Sequence, residues 1–405
     1  MGNIQYLYNN LIDSATLTGS STATGFAASN IQNPFRGKVW RTAGATAGTA
    51  NLVIDMSGIT RSVTGASLIL NGGFDSAATS WAASADETIA SVAGGQAGNC
   101  LQVTHGTGAT DIVYQTVTLT LGKRYRFAAY VKSGTSGNEA YIVGAGDLGV
   151  EYYNNASGTS SASWVAVTFD FTAKTASVDI MLIKNTNTAG TMLFDTVTLY
   201  ELSGGEVSAV ALTGYSWASA PGTLNLEFNN ANSWGSPAVT EALTWYASPS
   251  ANGNKAVIIK EFTSQNYLYA RLSVVYSPGG TPTDWDLGRM FLGPYFEPTD
   301  GYLYDYTEDH IDESYIQRSV GGQDHVDEIE MYRTISFSHV IQTQAQYELF
   351  QRMVNAVGTK KDLFIAFNYA DEPDEMTIYG KFTQLPGRTT YGLGGRIALA
   401  FKESR

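Results

Sequence analysis

At 405 residues the chain exceeds what one hydrophobic core usually spans, so two or three domains are expected. Charged residues make up only 15%, and the Gly, Ser, Thr, Ala and Asn that replace them favour short strands and turns over long helices. A formal charge of −13 argues against nucleic acid or an anionic membrane as partner, and the single cysteine, Cys100, excludes an intrachain disulfide and a zinc site built on cysteines.

Met1-Gly2-Asn3-Ile4-Gln5 lacks a basic stretch followed by an apolar run, so no secretory signal is expected. No apolar run approaches the roughly 18 residues of a membrane span, and synthesis in a cytoplasm is expected. Apolar residues open the chain at Tyr6-Leu7-Tyr8, Leu11 and Ile12, and Asn51–Met56 reads as a strand. From Ser67 the texture becomes a series of short predicted strands: Val113–Leu119, Tyr125–Val131, Trp164–Phe171, Val178–Ile183 and Met192–Leu199. Val165, Val167, Phe169 and Phe171 share one face at period two, as do Tyr125, Phe127 and Ala129, and such regular short strands predict a β-sandwich. Cys100 falls in an alternating stretch and reads as a buried thiol.

Ser203-Gly204-Gly205 is a flexible joint, after which Val207–Leu212 begins another β-rich stretch running to about Pro298. Residues 301–328, with Asp305, Glu308, Asp309, Asp312, Glu313, Asp324, Asp327 and Glu328, read as an acidic linker or arm. The last block predicts a strand at Ile329–Val340, a helix, and strands at Leu363–Tyr369, Met376–Thr383 and Gly392–Phe401. Thr343 with Gln346 forms a capping box, and Gly358 stops the helix. Ala345, Leu349, Phe350, Met353, Val354 and Val357 make an apolar stripe to pack on a sheet.

No catalytic constellation emerges, so no enzymatic activity is expected. His105, His310, His325 and His339 lie near no nucleophile elbow, and Gly392-Leu393-Gly394-Gly395 precedes a strand where a phosphate loop needs a helix. His310 and His325 match no metal-ligand spacing and read as part of a solvated acidic segment. No pair of acids stands out for glycoside hydrolysis. Aromatic residues, 12% of the chain, are more informative. Trp40, Trp81 and Trp164 sit in apolar segments and are expected in cores. Tyr130, Tyr141, Tyr152 and Tyr153 are the exposed-looking candidates for stacking on sugar rings.

Residues 68–202 resemble the jelly-roll carbohydrate-binding modules appended to glycoside hydrolases. The matching residues are Leu70-Asn71-Gly72-Gly73-Phe74-Asp75 with Trp81, Tyr125–Lys132, Trp164–Phe171 and the closing Phe194-Asp195-Thr196-Val197-Thr198-Leu199. The resemblance implies sugar binding and a structural calcium held in part by Asp195, with no other cofactor. The flanks resemble a discoidin- or galactose-binding-like sandwich of bacteriophage tail proteins, through Ala28-Ser29-Asn30-Ile31, Val39-Trp40-Arg41 and Leu52-Val53-Ile54-Asp55. Its next strand does not come after Asp55 but appears at Val207–Tyr215, as if a second domain had been inserted in a loop. The last block is similar to the small β units of tail tubes and distal tail rings.

The expected fold is mainly β: a discoidin/galactose-binding-like β-sandwich (1–65 and 206–300), an inserted jelly roll (66–205), and a C-terminal sheet with one helix at 343–357 (301–405). These resemblances imply a non-catalytic virion protein of a phage tail tip or baseplate, forming an oligomeric ring. Its partners would be copies of itself, other tail proteins and host polysaccharide, without nucleic acid or membrane insertion. A secreted carbohydrate-binding or adhesion protein, or a non-catalytic subunit of a glycan-degrading enzyme, is the alternative.

Overall fold

The structure, a computed structural model, describes residues 4–404 apart from 44–48, 85–86, 106–110, 136, 148–150, 187, 217–219, 248–254, 276–284, 299–306, 319, 321–322, 328, 342, 368–374, 386 and 392–393. Strands dominate, and Gln344–Val357 is the one α-helix among the described residues. Internal contacts divide the chain into two units. One is Thr60–Glu206 with Ser264–Tyr267; the other is Met1–Ile59, Val207–Thr263 and Leu268–Arg405.

The unit containing Thr60–Glu206 is a sandwich of two antiparallel sheets. The front sheet runs, in spatial order, Glu151–Thr159, Ala140–Asp147, Ser177–Lys184, Asp111–Thr118 and Ala82–Ala83. The back sheet runs Val165–Thr172, Arg124–Ser133, Gly190–Ser203, Asn99–His105 and Glu87–Ala93. From Asn99 onward the chain crosses repeatedly between the sheets, the connectivity of a jelly roll. Period-two alternation fills the space between them: Tyr125, Phe127 and Phe171 from the back sheet meet Val143, Ile180 and Leu182 from the front. Phe127 and Phe169 stack with ring centres 5.0 Å apart. Trp81 is buried here, but Trp164 is only half-buried, with the Lys132 ammonium 5.6 Å from its ring centre. Trp164 precedes its strand, so the alternation that buries Val167 and Phe169 does not govern it.

In the other unit a five-stranded sheet is assembled from both sides of the insert. Thr49–Asp55 pairs with Thr16–Gly19 on one edge and with Tyr269–Val275 on the other, in register from Asp55↔Tyr269 to Thr49↔Val275. A three-stranded sheet of Ile258–Gln265, Val207–Thr213 and Arg289–Gly293 accompanies it. Trp40 and Trp285 meet edge to face, 4.9 Å between centres, both almost fully buried.

The same unit holds a seven-stranded sheet ordered Gln5–Leu7, Leu363–Ala366, Thr377–Phe382, Gly394–Glu403, Tyr332–Ile341 and Thr307–Ile311, with Gly387–Tyr391 beside Gly394–Glu403. The first strand comes from the segment the sequence assigns to the galactose-binding-like sandwich. Ile4 and Tyr6 enter the core under the helix, and this burial outweighs their position in the chain. The helix obeys the capping box: Thr343 Oγ1 accepts from the Gln346 N–H at 3.3 Å, and Gly358 ends it at positive φ. Phe350, Met353, Val354 and Val357 are its buried face, whereas Ala345 and Leu349 point outward, so the stripe is narrower than expected.

The acidic segment is strand rather than linker where described. Thr307–Ile311 pairs along Tyr332–Ile341, and Tyr315–Arg318 pairs with Asp324–Asp327 as a separate hairpin. Its charges decorate strands that have solvent on at least one side, the device that blunts sheet edges. Asp305, Glu328, Gly392 and Leu393 lie outside the described residues.

His339 is completely buried beside the Tyr6 hydroxyl, Phe337 and Phe350. Burial lowers its pKa from the ordinary 6.5 to about 4. Between those values the unfolded chain binds the proton and the folded chain does not. The stabilisation is therefore complete above pH 6.5 and is lost as pH falls toward 4, by roughly 3 kcal/mol. Glu261, raised by burial to about 7, acts with the opposite sign, so the two proteins must be compared as a difference. Urea unfolding of the His339→Gln variant at pH 7 and pH 4.5 is expected to show a shallower acid loss than the unaltered chain. Equal losses would mean that His339 carries no acid sensitivity.

Candidate functional site

The outer face of the front sheet is built by the residues that alternate with the core. In Ser177–Lys184, Val178, Ile180 and Leu182 point inward, so Asp179, Met181 and Ile183 belong to the outer face. Backbone pairing lays them out in rows. Met181 stands between Gly144 and Tyr114, with Asn155 beyond Gly144. Ile183 stands between Ile142 and Ile112, and Asp179 between Gly146 and Thr116. Met181 and Ile183 are almost wholly covered although they face away from the core, so a ligand on this face would meet their more exposed neighbours rather than these side chains. Tyr114, half-buried, flanks Met181 on one side, and Gly144 and Gly146 leave the strand on the other side without side chains. A tyrosine one strand removed from glycine-lined backbone, across Met181, could stack on the C–H face of a sugar ring. At the polar end the Thr116 hydroxyl donates to Asp179 Oδ1 at 2.6 Å, and Asn155 is exposed.

The four tyrosines singled out by the sequence do not share a surface. Tyr130 is half-buried on the outer face of the back sheet, paired with Ala166 and, past a bulge, with Asp195. Tyr141 lies inside the core, only 6% exposed, with its pKa raised by burial, so the exposed reading is corrected. Its strand opens Ala140-Tyr141-Ile142-Val143, four apolar residues in a row, and the phase of the alternation is not readable there. Tyr153 packs against the core edge, its hydroxyl 2.7 Å from the Thr175 hydroxyl and its ring under the Lys174 ammonium. Tyr152 pairs through its backbone with Gly146, and its side chain lies outside the described residues. Tyr114, which sequence reading passed over, had a signal: it alternates with Val113 and Val117, both core residues.

Asp195 is wholly buried at a bulge where Thr196 takes φ 50. Its Oδ2 accepts from the Ala97 N–H at 3.0 Å and its Oδ1 from the Thr196 N–H at 2.6 Å. Asp75 grips the same turn, accepting from the Asn99 N–H at 3.4 Å. Among the described residues no three His, Cys, Asp or Glu side chains gather as metal ligands. A calcium at Asp195 would have to complete its shell with backbone carbonyls, amide side chains or water. Elsewhere in this unit Lys184 is fully buried and pairs with Glu139 at 2.7 Å, while both Glu87 oxygens are buried without a hydrogen-bond partner. Burial raises the Glu87 carboxyl to about 7, against the opposing pull of Lys184. In the other unit His310 is exposed on Thr307–Ile311, and the side chains of His105 and His325 lie outside the described residues.

Residues 66–188 match the family described as a carbohydrate binding domain. No curated protein matches the chain. Among solved structures, a CBM4 module is 21% identical, with 33% of this chain and 99% of the module covered at a TM-score of 0.28. The CBM22-1 xylan-binding domain of Paenibacillus barcinonensis Xyn10C is 18% identical, covering 35% and 97% at 0.29. The enzymatically active domain of bacteriophage CBA120 tailspike protein 4 is 10% identical, covering 33% of this chain and 21% of that one at 0.27.

If the front face carries sugar binding, Tyr114→Ala should weaken it about tenfold, the loss of roughly 1.4 kcal/mol of ring stacking. Affinity electrophoresis in a polysaccharide gel reads this. Tyr130→Ala, on the back sheet, should leave mobility unchanged; the reverse pattern would move the site to the back sheet.

Proposed function

We propose that the jelly roll is a non-catalytic polysaccharide-binding module carried by a structural protein of a phage tail tip or baseplate. The observation that carries the sugar-binding part is the match of residues 66–188 to a carbohydrate binding domain, together with the tyrosine-flanked face of the front sheet. One such face is expected to bind a stretch of polysaccharide weakly, in the micromolar to millimolar range, about −8 to −4 kcal/mol. Repetition in an oligomer would convert this into firm attachment to a host surface.

The tail part rests on the resemblance of the flanks and on the open elements of the C-terminal sheet. Thr307–Ile311 ends the sheet order, and Tyr315, Ile316 and Val326 are exposed on the nearby hairpin. An isolated two-stranded hairpin is marginal in water, and exposed edges invite pairing with another chain. In this reading copies form a ring in the virion, assembled in the host cytoplasm. A secreted adhesion protein uses the same module without the ring.

A glycan array of bacterial envelope polysaccharides, followed by titration calorimetry, is expected to show weak saturable binding by the whole chain. Native mass spectrometry is expected to show a closed oligomer. Binding by a monomer that joins no tail protein would favour the adhesion reading, and absence of binding to any envelope glycan would remove the sugar-binding role. Calcium enters this proposal only as a clamp on the turn held by Asp195 and Asp75. Chelation by EDTA should then lower the melting temperature of the chain, and Asp195→Asn should abolish that response; an unchanged melting temperature on chelation removes the metal from the proposal.

A further inference from the structure

The unit formed by the flanks and the C-terminal sheet contains a cavity of about 430 Å³, ample for a monosaccharide. Leu7–Asn10, Asp13, Gln32, Arg289, Lys360–Phe364 and Tyr379 contribute to its walls. Most of its polar atoms are already committed. Asn10 donates to the Met290 carbonyl and accepts from Ile12 and Leu292 N–H groups. Gln32 donates to the carbonyls of Ile12 and Ala15, and the Tyr379 hydroxyl donates to that of Pro34. Arg289 forks onto Asp13 at 2.6 and 2.9 Å and also donates to the Ile31 carbonyl.

Besides the Asn9 amide, the nitrogen donors left over are the ammonium groups of Lys360 and Lys361 and the buried Arg289 Nε–H, which meets no acceptor although the guanidinium also bonds the Tyr379 side chain. Neither lysine makes an ion pair among the described residues. In a chain of net charge −13, three cations here face two carboxylates, Asp13 and Asp362. Asp13 is neutralised by Arg289, and Asp362 accepts from the Ser404 hydroxyl. Surplus donors in a concave site call for a ligand that only accepts at that point. The cavity is too large for a bare inorganic anion, and Tyr8, Asn9 and Ser14 offer mixed donors and acceptors to hydroxyl groups.

We propose that the cavity between Arg289 and Lys360–Lys361 is a second ligand site, outside the jelly roll, for an acidic sugar whose carboxylate meets the lysines. The site does not depend on sugar binding by the insert. The test titrates the full chain with sodium glucuronate by calorimetry at low, matched ionic strength, with glucose and inorganic phosphate as comparison ligands. Saturable glucuronate binding is expected, weaker by about tenfold or more in a Lys360→Ala/Lys361→Ala variant and retained in Lys360→Arg/Lys361→Arg. Both variants change exposed side chains, and circular dichroism checks that their fold is unaltered. Absence of glucuronate binding overturns the proposal. So does binding that survives loss of both lysines, which would place it on another surface. Glucose binding as tightly, or phosphate displacing glucuronate with equal potency, would overturn the acidic-sugar assignment.

Discussion

The pairing of Ser62–Thr64 with Glu201–Ser203 is the constraint on which the architecture depends. It brings the two ends of the jelly roll side by side, so a domain of ordinary size interrupts another chain path at the cost of closing one short gap. Gly204 and Gly205 come next at φ 99 and 81, a left-handed stretch that other residues strain to adopt, and the Glu206 carboxylate accepts from the Gly204 N–H. With the ends held, Thr49–Asp55 and Tyr269–Val275 can pair in the other unit despite more than two hundred intervening residues. The jelly roll thereby keeps one continuous core of its own, while the other unit packs around separate apolar clusters.

Within the jelly roll, alternation assigns every strand residue to a side, and the two outer faces differ chemically. The back face is laced by ion pairs: Arg126 holds Asp170 through two bonds of 2.8 and 3.0 Å, and Lys123 reaches Glu201 at 3.2 Å. Charges so paired are poorly available to a neutral sugar. The front face instead combines covered aliphatic side chains, glycines and a tyrosine, with hydrogen-bonding groups at one end. The cavity beside Arg289 lies in the other unit and answers to a charged ligand.

The sequence made some features plain because one physical rule controlled them. The helix at 343–357 obeyed its cap and stop, and Val165–Phe171 and Tyr125–Ala129 took strict alternation into the core. Where rules competed, reading failed. Tyr141 lies in an unbroken apolar run, and a register shift between Ala145 and Gly146 re-phases the pairing toward the end of that strand. The strands at 307–311 and 315–318 were hidden by charge, since exposed edge strands carry the composition of loops. Gln5–Leu7 was misplaced because pairing with Leu363–Ala366 is a contact across most of the chain, which local pattern cannot reveal. Tyr114 was legible only once its neighbours were known to be inward.

The buried ions at one end of the jelly roll show why that register holds. Val178, Ile180, Leu182 and Lys184 share the inward phase of one strand, so a slip by one residue would expose three aliphatic side chains and re-aim the ammonium. Lys184 is satisfied only where Glu139, the Thr186 hydroxyl and the Thr188 carbonyl converge on it. Burying such a pair gains little net stability over an apolar substitute, because desolvation opposes the attraction. Losing either partner costs far more, since the other is left charged in the interior. The pair therefore penalises wrong registers more than it stabilises the right one. Glu87, whose carboxyl burial raises to about 7, is only partly ionised near neutral pH and adds less than a full second negative charge to this end. The polar plug marks where the apolar core stops, and the correct strand phase that it enforces is the phase that sets Tyr114, Met181 and Ile183 on the opposite, outward face.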